Sequence, residues 1–132
     1  MPLWTRCIKE PKRDTDGVRI SVMSRHTLDD GVTPDPEITP DMFDEWRKEL
    51  GPPPKLIGPY RRKEISWDEF AKKFRAYLLL PQGELLLRRL IKRARISSVT
   101  ILCVEDAPKQ CHRRLIAELC AEIDPSLEVY IE

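Results

Sequence analysis

The sequence predicts an α/β protein: a single three-layer domain, residues 1–132, on a small, mainly parallel sheet of about four strands flanked by helices. Three observations carry that expectation. Residues 99–104, Val-Thr-Ile-Leu-Cys-Val, form an apolar run of the kind covered on both faces in parallel sheets. From there to residue 131 the pattern reads strand, helix, strand, which fits a right-handed parallel βαβ unit. A length of 132 residues, 41% hydrophobic and 34% charged, suits one core.

Taken in order, Leu3–Lys9 alternates as a first strand and Pro11–Gly17 supplies a turn. Val18–Met23 is a second strand, ending at Ser24-Arg25-His26. Residues 30–63 are rich in proline and read as irregular, interrupted by a short helix near 40–50. That helix is expected from Thr39 as a cap, Pro40 in the first turn, and Met42, Phe43, Trp46 and Leu50 at helical spacing. Ser66 and Glu69 form a capping box for an amphipathic helix carrying Trp67, Phe70, Phe74, Tyr77 and Leu78. After Pro81 a third helix runs over residues 82–94, its apolar face opposed by Arg88, Arg89, Lys92, Arg93 and Arg95. The 99–104 run is the central strand, Pro108 opens a helix with Leu115, Ile116, Leu119 and Ile123 on one face, and Leu127–Ile131 forms the last strand.

Charge and composition narrow the function classes. Twenty-three Lys and Arg against 22 Asp and Glu leave a net charge of +1, so no global field attracts nucleic acid or membrane. No apolar run approaches the ~20 residues of a membrane helix, which argues against a membrane partner. Residues 1–6 lack a signal-peptide pattern, and four cysteines do not make a dense disulfide framework. Reduced thiols in the cytoplasm are therefore expected.

Chemistry concentrates in residues 103–113. Cys103 falls at the carboxyl end of the central strand, and Glu105, two residues on, is expected on the same side. Cys111, His112 and Arg113 fall at a helix start, where backbone N–H groups and the helix dipole favour an anion such as a thiolate. Cys111 and Cys103 are thus candidate nucleophiles, with His112 and Glu105 as proton-moving groups. Simpler roles stand beside these: Cys103 as a buried hydrophobe, Glu105 as a cap, His112 bonded to a carbonyl, Arg113 paired with an acid. No metal or cofactor is expected, because the adjacent Cys111 and His112 would diverge on a regular helix and no C-x2-C knuckle is present. Lys109 stands where a phosphatase loop counted from Cys103 needs arginine.

Leu102-Cys103-Val104-Glu105 followed by Cys111-His112-Arg113-Arg114-Leu115-Ile116-Ala117-Glu118 resembles the signature of the domain of unknown function 488 family. Residues 17–22 with Arg25, then Trp46–Leu50, Tyr60-Arg61, Trp67, Phe70 and Tyr77 are similar to that family's order of motifs. The resemblance implies a compact three-layer α/β domain and brings no established reaction. It matches the family's strand-end arginine to Arg25, whereas Met23 stands where relatives carry an acid.

The best-supported expectation is a small anionic ligand, phosphate or nucleotide, bound at the carboxyl edge of the sheet by Arg25 and Arg113, with thiol chemistry from the cysteines. Tyr60, Arg61 and Arg62 can form a lid over that site. A sulfurtransferase-like thiol enzyme is one alternative. A non-enzymatic interaction or nucleic-acid-binding module using the basic face 88–95 is another.

Overall fold

The computed structural model describes residues 2–28, 32–104 and 110–132. Five strands, β1 (Pro2–Cys7), β2 (Val18–Ser21), β3 (Glu45–Trp46), β4 (Val99–Cys103) and β5 (Glu128–Ile131), form one sheet in the order β3-β2-β4-β1-β5. Every neighbouring pair is parallel. β4 lies in the middle and each of its residues is buried, as its unbroken apolar run requires.

Side-chain alternation along the strands separates two faces. Leu3, Ile20, Val99 and Ile101 join the main core with residues of the helices α2 (Trp67–Leu78), α3 (Pro81–Ile96) and α4 (His112–Ile123). Ser66 caps α2 as its capping box predicts, its Oγ accepting from Glu69 N at 3.1 Å, and Phe70, Phe74 and Leu78 are buried along one stripe.

The opposite face is covered by connections rather than helices. Arg6, Arg19 and Thr100 lie there, buried, against residues 8–17, which carry the chain from β1 past β4 to β2. Parallel strands joined in sequence ordinarily need a longer crossover, usually a helix. Here the crossover is tied by charge. Asp16, 1% exposed, accepts from Arg6 Nη1 at 3.0 Å, Arg19 Nη1 at 2.7 Å and Arg13 N at 3.0 Å, while its carbonyl accepts from Thr100 Oγ1 at 2.8 Å. Gly17 closes the crossover at φ +64°, where an added Cβ would meet the Ser98 carbonyl oxygen at 1.9 Å.

Two expectations for residues 30–63 need correction. No helix forms near 40–50: the chain makes a 3-10 turn at Pro40–Met42, then β3, then a second 3-10 turn at Lys48–Leu50. The apolar spacing there serves a sheet edge instead. Asp44 N donates to Arg19 O at 2.8 Å and Arg47 N to Ser21 O at 2.9 Å, so β2 takes backbone donors that a helix would use internally, and the Trp46 indole donates to Met23 O at 2.7 Å just beyond β2. Conversely, Pro54–Arg61 is a helix, α1, within the stretch expected to be irregular. Pro54 sits in its first turn, where a missing N–H is no loss, and Leu56, Ile57 and Tyr60 pack against the main core. Among the described residues, no helix is long and apolar enough to cross a membrane.

Candidate functional site

Parallel strands deliver their carboxyl ends to one edge, where α/β sites collect. β1 ends at Cys7, β2 at Ser21 and β4 at Cys103, with Cys7 and Cys103 in register. Beyond β2 the chain passes Val22, Met23 and Arg25; beyond β4 it returns at Cys111 to start α4.

The helix start is what gathers the reactive groups. Cys111 is the N-cap of α4 and is extended, at φ −125° and ψ 138°, whereas His112 is the first helical residue. Neighbours on a regular helix would project about 100° apart, but a cap in the β region is turned away from that screw. As a result the Sγ atoms of Cys103 and Cys111 and a ring nitrogen of His112 lie within 4.8 Å of one another. The expectation that Cys111 and His112 diverge is therefore corrected, because it treated both as helical.

His112 is held from two sides. Its Nε2 lies 2.9 Å from the Val22 carbonyl oxygen, an acceptor that makes Nε2 the protonated nitrogen and leaves the lone pair on Nδ1. Both ring nitrogens are 3.6 Å from Cys103 Sγ, and Phe74 meets the ring edge-on with centroids 5.9 Å apart. Cys103 and Cys111 are each 1% exposed, and none of the four cysteines is joined in a disulfide.

Access comes from the loops. A cleft of about 450 Å³ is bounded by Met23, Arg25, Ile38, Arg61 and Val104 among others. It shares Met23, Arg25, Arg61 and Val104 with a small inner hollow of about 20 Å³, which reaches Cys103 and His112. Two arginines thus line the approach to a thiol and an imidazole. Asp35 also lines the cleft, where its Oδ1 accepts from Glu37 N at 2.9 Å.

The expected site residues divide accordingly. Arg25, Cys103 and His112 meet at the hollow, and Cys111 adjoins Cys103 and His112. Arg113 is fully buried and turned to other partners: its Nη1 donates to Cys111 Sγ at 3.4 Å and its Nη2 to the Glu132 carbonyl at 3.2 Å. It supports a sulfur rather than lining the cleft with Arg25. Glu105 lies outside the described residues, as does Pro108. Of the residues considered as a lid, Arg61 lines the cleft, while Tyr60 stacks on Phe70 and its hydroxyl reaches Gln110 Oε1 at 3.4 Å. Arg61 is the arginine that the sequence offered only as part of a lid; its place on the last turn of α1 emerges once that segment is known to be helical.

An aromatic cluster stands at the exit of β2. His26 stacks on Trp46 with centroids 4.1 Å apart, lies 4.9 Å from the Phe43 centroid, and shares a 2.7 Å hydrogen bond between its Nε2 and Ser21 Oγ. Burial lowers its basicity, and Ser21 is fully buried, so this pair braces the exit of β2.

The basic face of α3 is largely spoken for. Arg88 pairs with Glu84, Arg93 with Glu45, and Arg95 with Asp124. Three of its five cations therefore already face carboxylates, which reduces what the face presents to a phosphate backbone.

In comparison with protein families, a family model, DUF488-N3a, described as the active DUF488-N3 subclade, matches residues 3–124. Comparisons with curated proteins and with solved structures give no match.

Proposed function

The chain belongs to the DUF488-N3a family, and from that premise we propose that its cleft takes a small oxyanion-bearing ligand, a phosphate ester or nucleotide, between Arg25 and Arg61. The observation that carries this reading is the pair of arginines, Arg25 and Arg61, among the residues lining a hollow that reaches Cys103 and His112. Guanidinium matches phosphate oxygens in a two-pronged geometry, and two of them at one mouth define where the charge sits. Cys103 is then the thiol that meets the ligand, His112 the group that exchanges its proton, and the arginines the stabilisers of negative charge. Arg113 and Cys111 stand behind the pair. The family's description as active is in keeping with turnover, and reduced thiols are in keeping with a cytoplasmic setting.

The cleft is a better ligand site than the basic face of α3, because Arg25 and Arg61 converge on a concavity while Arg88, Arg93 and Arg95 are engaged with acids. Calorimetric titration with inorganic phosphate tests the reading. Arg25→Gln and Arg61→Gln are each expected to weaken binding by about tenfold or more, since a charge-assisted hydrogen bond contributes roughly 1.5–3 kcal/mol. Bound phosphate is also expected to slow alkylation of Cys103 in the wild-type protein. Equal phosphate affinity in the wild type and the Arg25→Gln/Arg61→Gln double variant would refute it.

A further inference from the structure

We propose that Cys103, Cys111 and His112 are the ligands of one thiophilic cation, best matched by Zn²⁺, with a fourth coordination position opening toward the Arg25–Arg61 cleft. The inference deepens the oxyanion reading and rests on it for the source of the fourth ligand. It changes the role of the sulfurs, which in the loaded protein are metal-bound thiolates rather than nucleophiles.

Geometry carries the proposal. Zn–S bonds near 2.3 Å and Zn–N bonds near 2.0–2.1 Å in a tetrahedron place a sulfur and a nitrogen ligand about 3.6 Å apart and two sulfurs about 3.8 Å apart. Cys103 Sγ is 3.6 Å from the His112 ring nitrogens, and the three donor atoms all lie within 4.8 Å of one another. Because Sγ stands equally far from both nitrogens it lies over the ring and not on the Nδ1 lone pair, so closing on an ion requires the Cys103 side chain to turn toward the Nδ1 edge. The chemistry of the donor set is also selective: two thiolates and an imidazole suit Zn²⁺ over Mg²⁺ or Ca²⁺, which take oxygen ligands.

The surroundings supply what a metal ligand needs. The hydrogen bond from His112 Nε2 to the Val22 carbonyl fixes the ring and leaves Nδ1 for the cation, the usual arrangement behind a metal-bound histidine. Arg113 donates to Cys111 Sγ at 3.4 Å, as outer groups do to coordinated thiolates. Binding balances as Zn²⁺ plus two thiols and one neutral imidazole giving a neutral complex and two released protons, so little net charge is buried. The hollow that reaches Cys103 and His112 gives an entry path, and its two arginines can hold an oxyanion against the open position.

Titration of the chelator-treated, reduced protein with Co²⁺ tests the site, with the thiolate-to-cobalt charge-transfer band and the visible bands of tetrahedral Co²⁺ as readouts. One Co²⁺ per chain is expected, competed by Zn²⁺, with Cys103 and Cys111 protected together from alkylation. Cys111→Ser should remove about half of the charge-transfer intensity and weaken binding by more than about 100-fold. Cys120→Ser, which alters a buried thiol elsewhere, should leave both unchanged. The alkylation pattern is read on the wild-type protein, so the test survives a variant that does not fold. A wild-type protein that gives no charge-transfer band, or a band that Cys111→Ser leaves intact, overturns the metal site. Phosphate titration of the chelated protein separates the two ideas: phosphate bound without Co²⁺ leaves the cleft standing alone, and Co²⁺ bound with no phosphate at any concentration overturns the oxyanion fourth ligand.

Discussion

Replacing Asp16 by Asn removes one charge from the crossover between β1 and β2 while keeping its shape. The carboxylate is 1% exposed and serves two guanidinium groups that are themselves 2% and 4% exposed, those of Arg6 and Arg19. An amide offers one oxygen and turns an NH2 group toward a donor, so one buried cation loses its counter-charge. Removing one partner of a buried ion pair costs about 3–5 kcal/mol. Arg6 keeps Glu10, and Arg19 keeps the carbonyls of Ile8, Glu10 and Met42, which places the expected loss near the lower end, about 3 kcal/mol. Against a total stability of roughly 5–15 kcal/mol this is a large fraction, and it should lower the urea midpoint by about 1–2 M.

The effect should also depend on pH with a definite sign. Burial alone pushes the Asp16 carboxyl up, but the Arg13 N–H and the guanidiniums of Arg19 and Arg6 outweigh it and hold it below the usual carboxylate range. A lowered folded value contributes stability that is fully present above the unfolded carboxyl pKa, about 3.9, and is lost as pH falls through the folded value. The gap between wild type and Asp16→Asn should therefore be widest near neutrality and narrow below about pH 4. Urea melts at neutral pH and at two acidic points measure it. A neutral-pH difference under about 1 kcal/mol, or a gap that widens in acid, would refute the argument.

Two further outcomes follow from burial and backbone geometry. Gly17→Ala places a Cβ 1.9 Å from the Ser98 carbonyl oxygen at a φ of +64°, so it should destabilise the fold by more than about 1 kcal/mol in urea unfolding; no change would mean that the crossover yields easily. Burial pushes the Cys120 thiol up to about 12, so it should resist iodoacetamide at mildly alkaline pH and react only as the protein unfolds, and labelling as fast as a free thiol would contradict its place in the core.

What could be read in advance depended on how local the determining interactions are. The unbroken apolar run at 99–103 marks a buried parallel strand by itself, and Ser66 with Glu69 marks a helix start by itself, so β4 and α2 were legible. The segment 40–50 imitates a helix because Met42, Phe43, Trp46 and Leu50 satisfy a helical spacing, while the N–H groups of Asp44 and Arg47 among them bond to the carbonyls of Arg19 and Ser21, some 25 residues away in sequence. Pro52, Pro53, Pro54 and Pro59 hid α1, since proline reads as a breaker except in a first turn. At the site, residue types and their crowding were visible, but the convergence of Cys111 with His112 depends on one cap dihedral pair, and Arg61 reaches the cleft only through the packing of α1.

The strand order has a consequence for how the chain reaches this state. β1 pairs with β4 and β5, so its partners begin at residues 99 and 128. In a chain growing from its amino end, the first strand therefore waits for the last quarter of the sequence before it can enter the sheet. Closing such distant pairs slows folding and prolongs the exposure of unpaired strands. The same late event delivers Cys103 and the start of α4 to the edge already carrying Val22 and Arg25. The pocket and the fold should thus be completed together, with no stage at which a finished scaffold awaits its reactive groups.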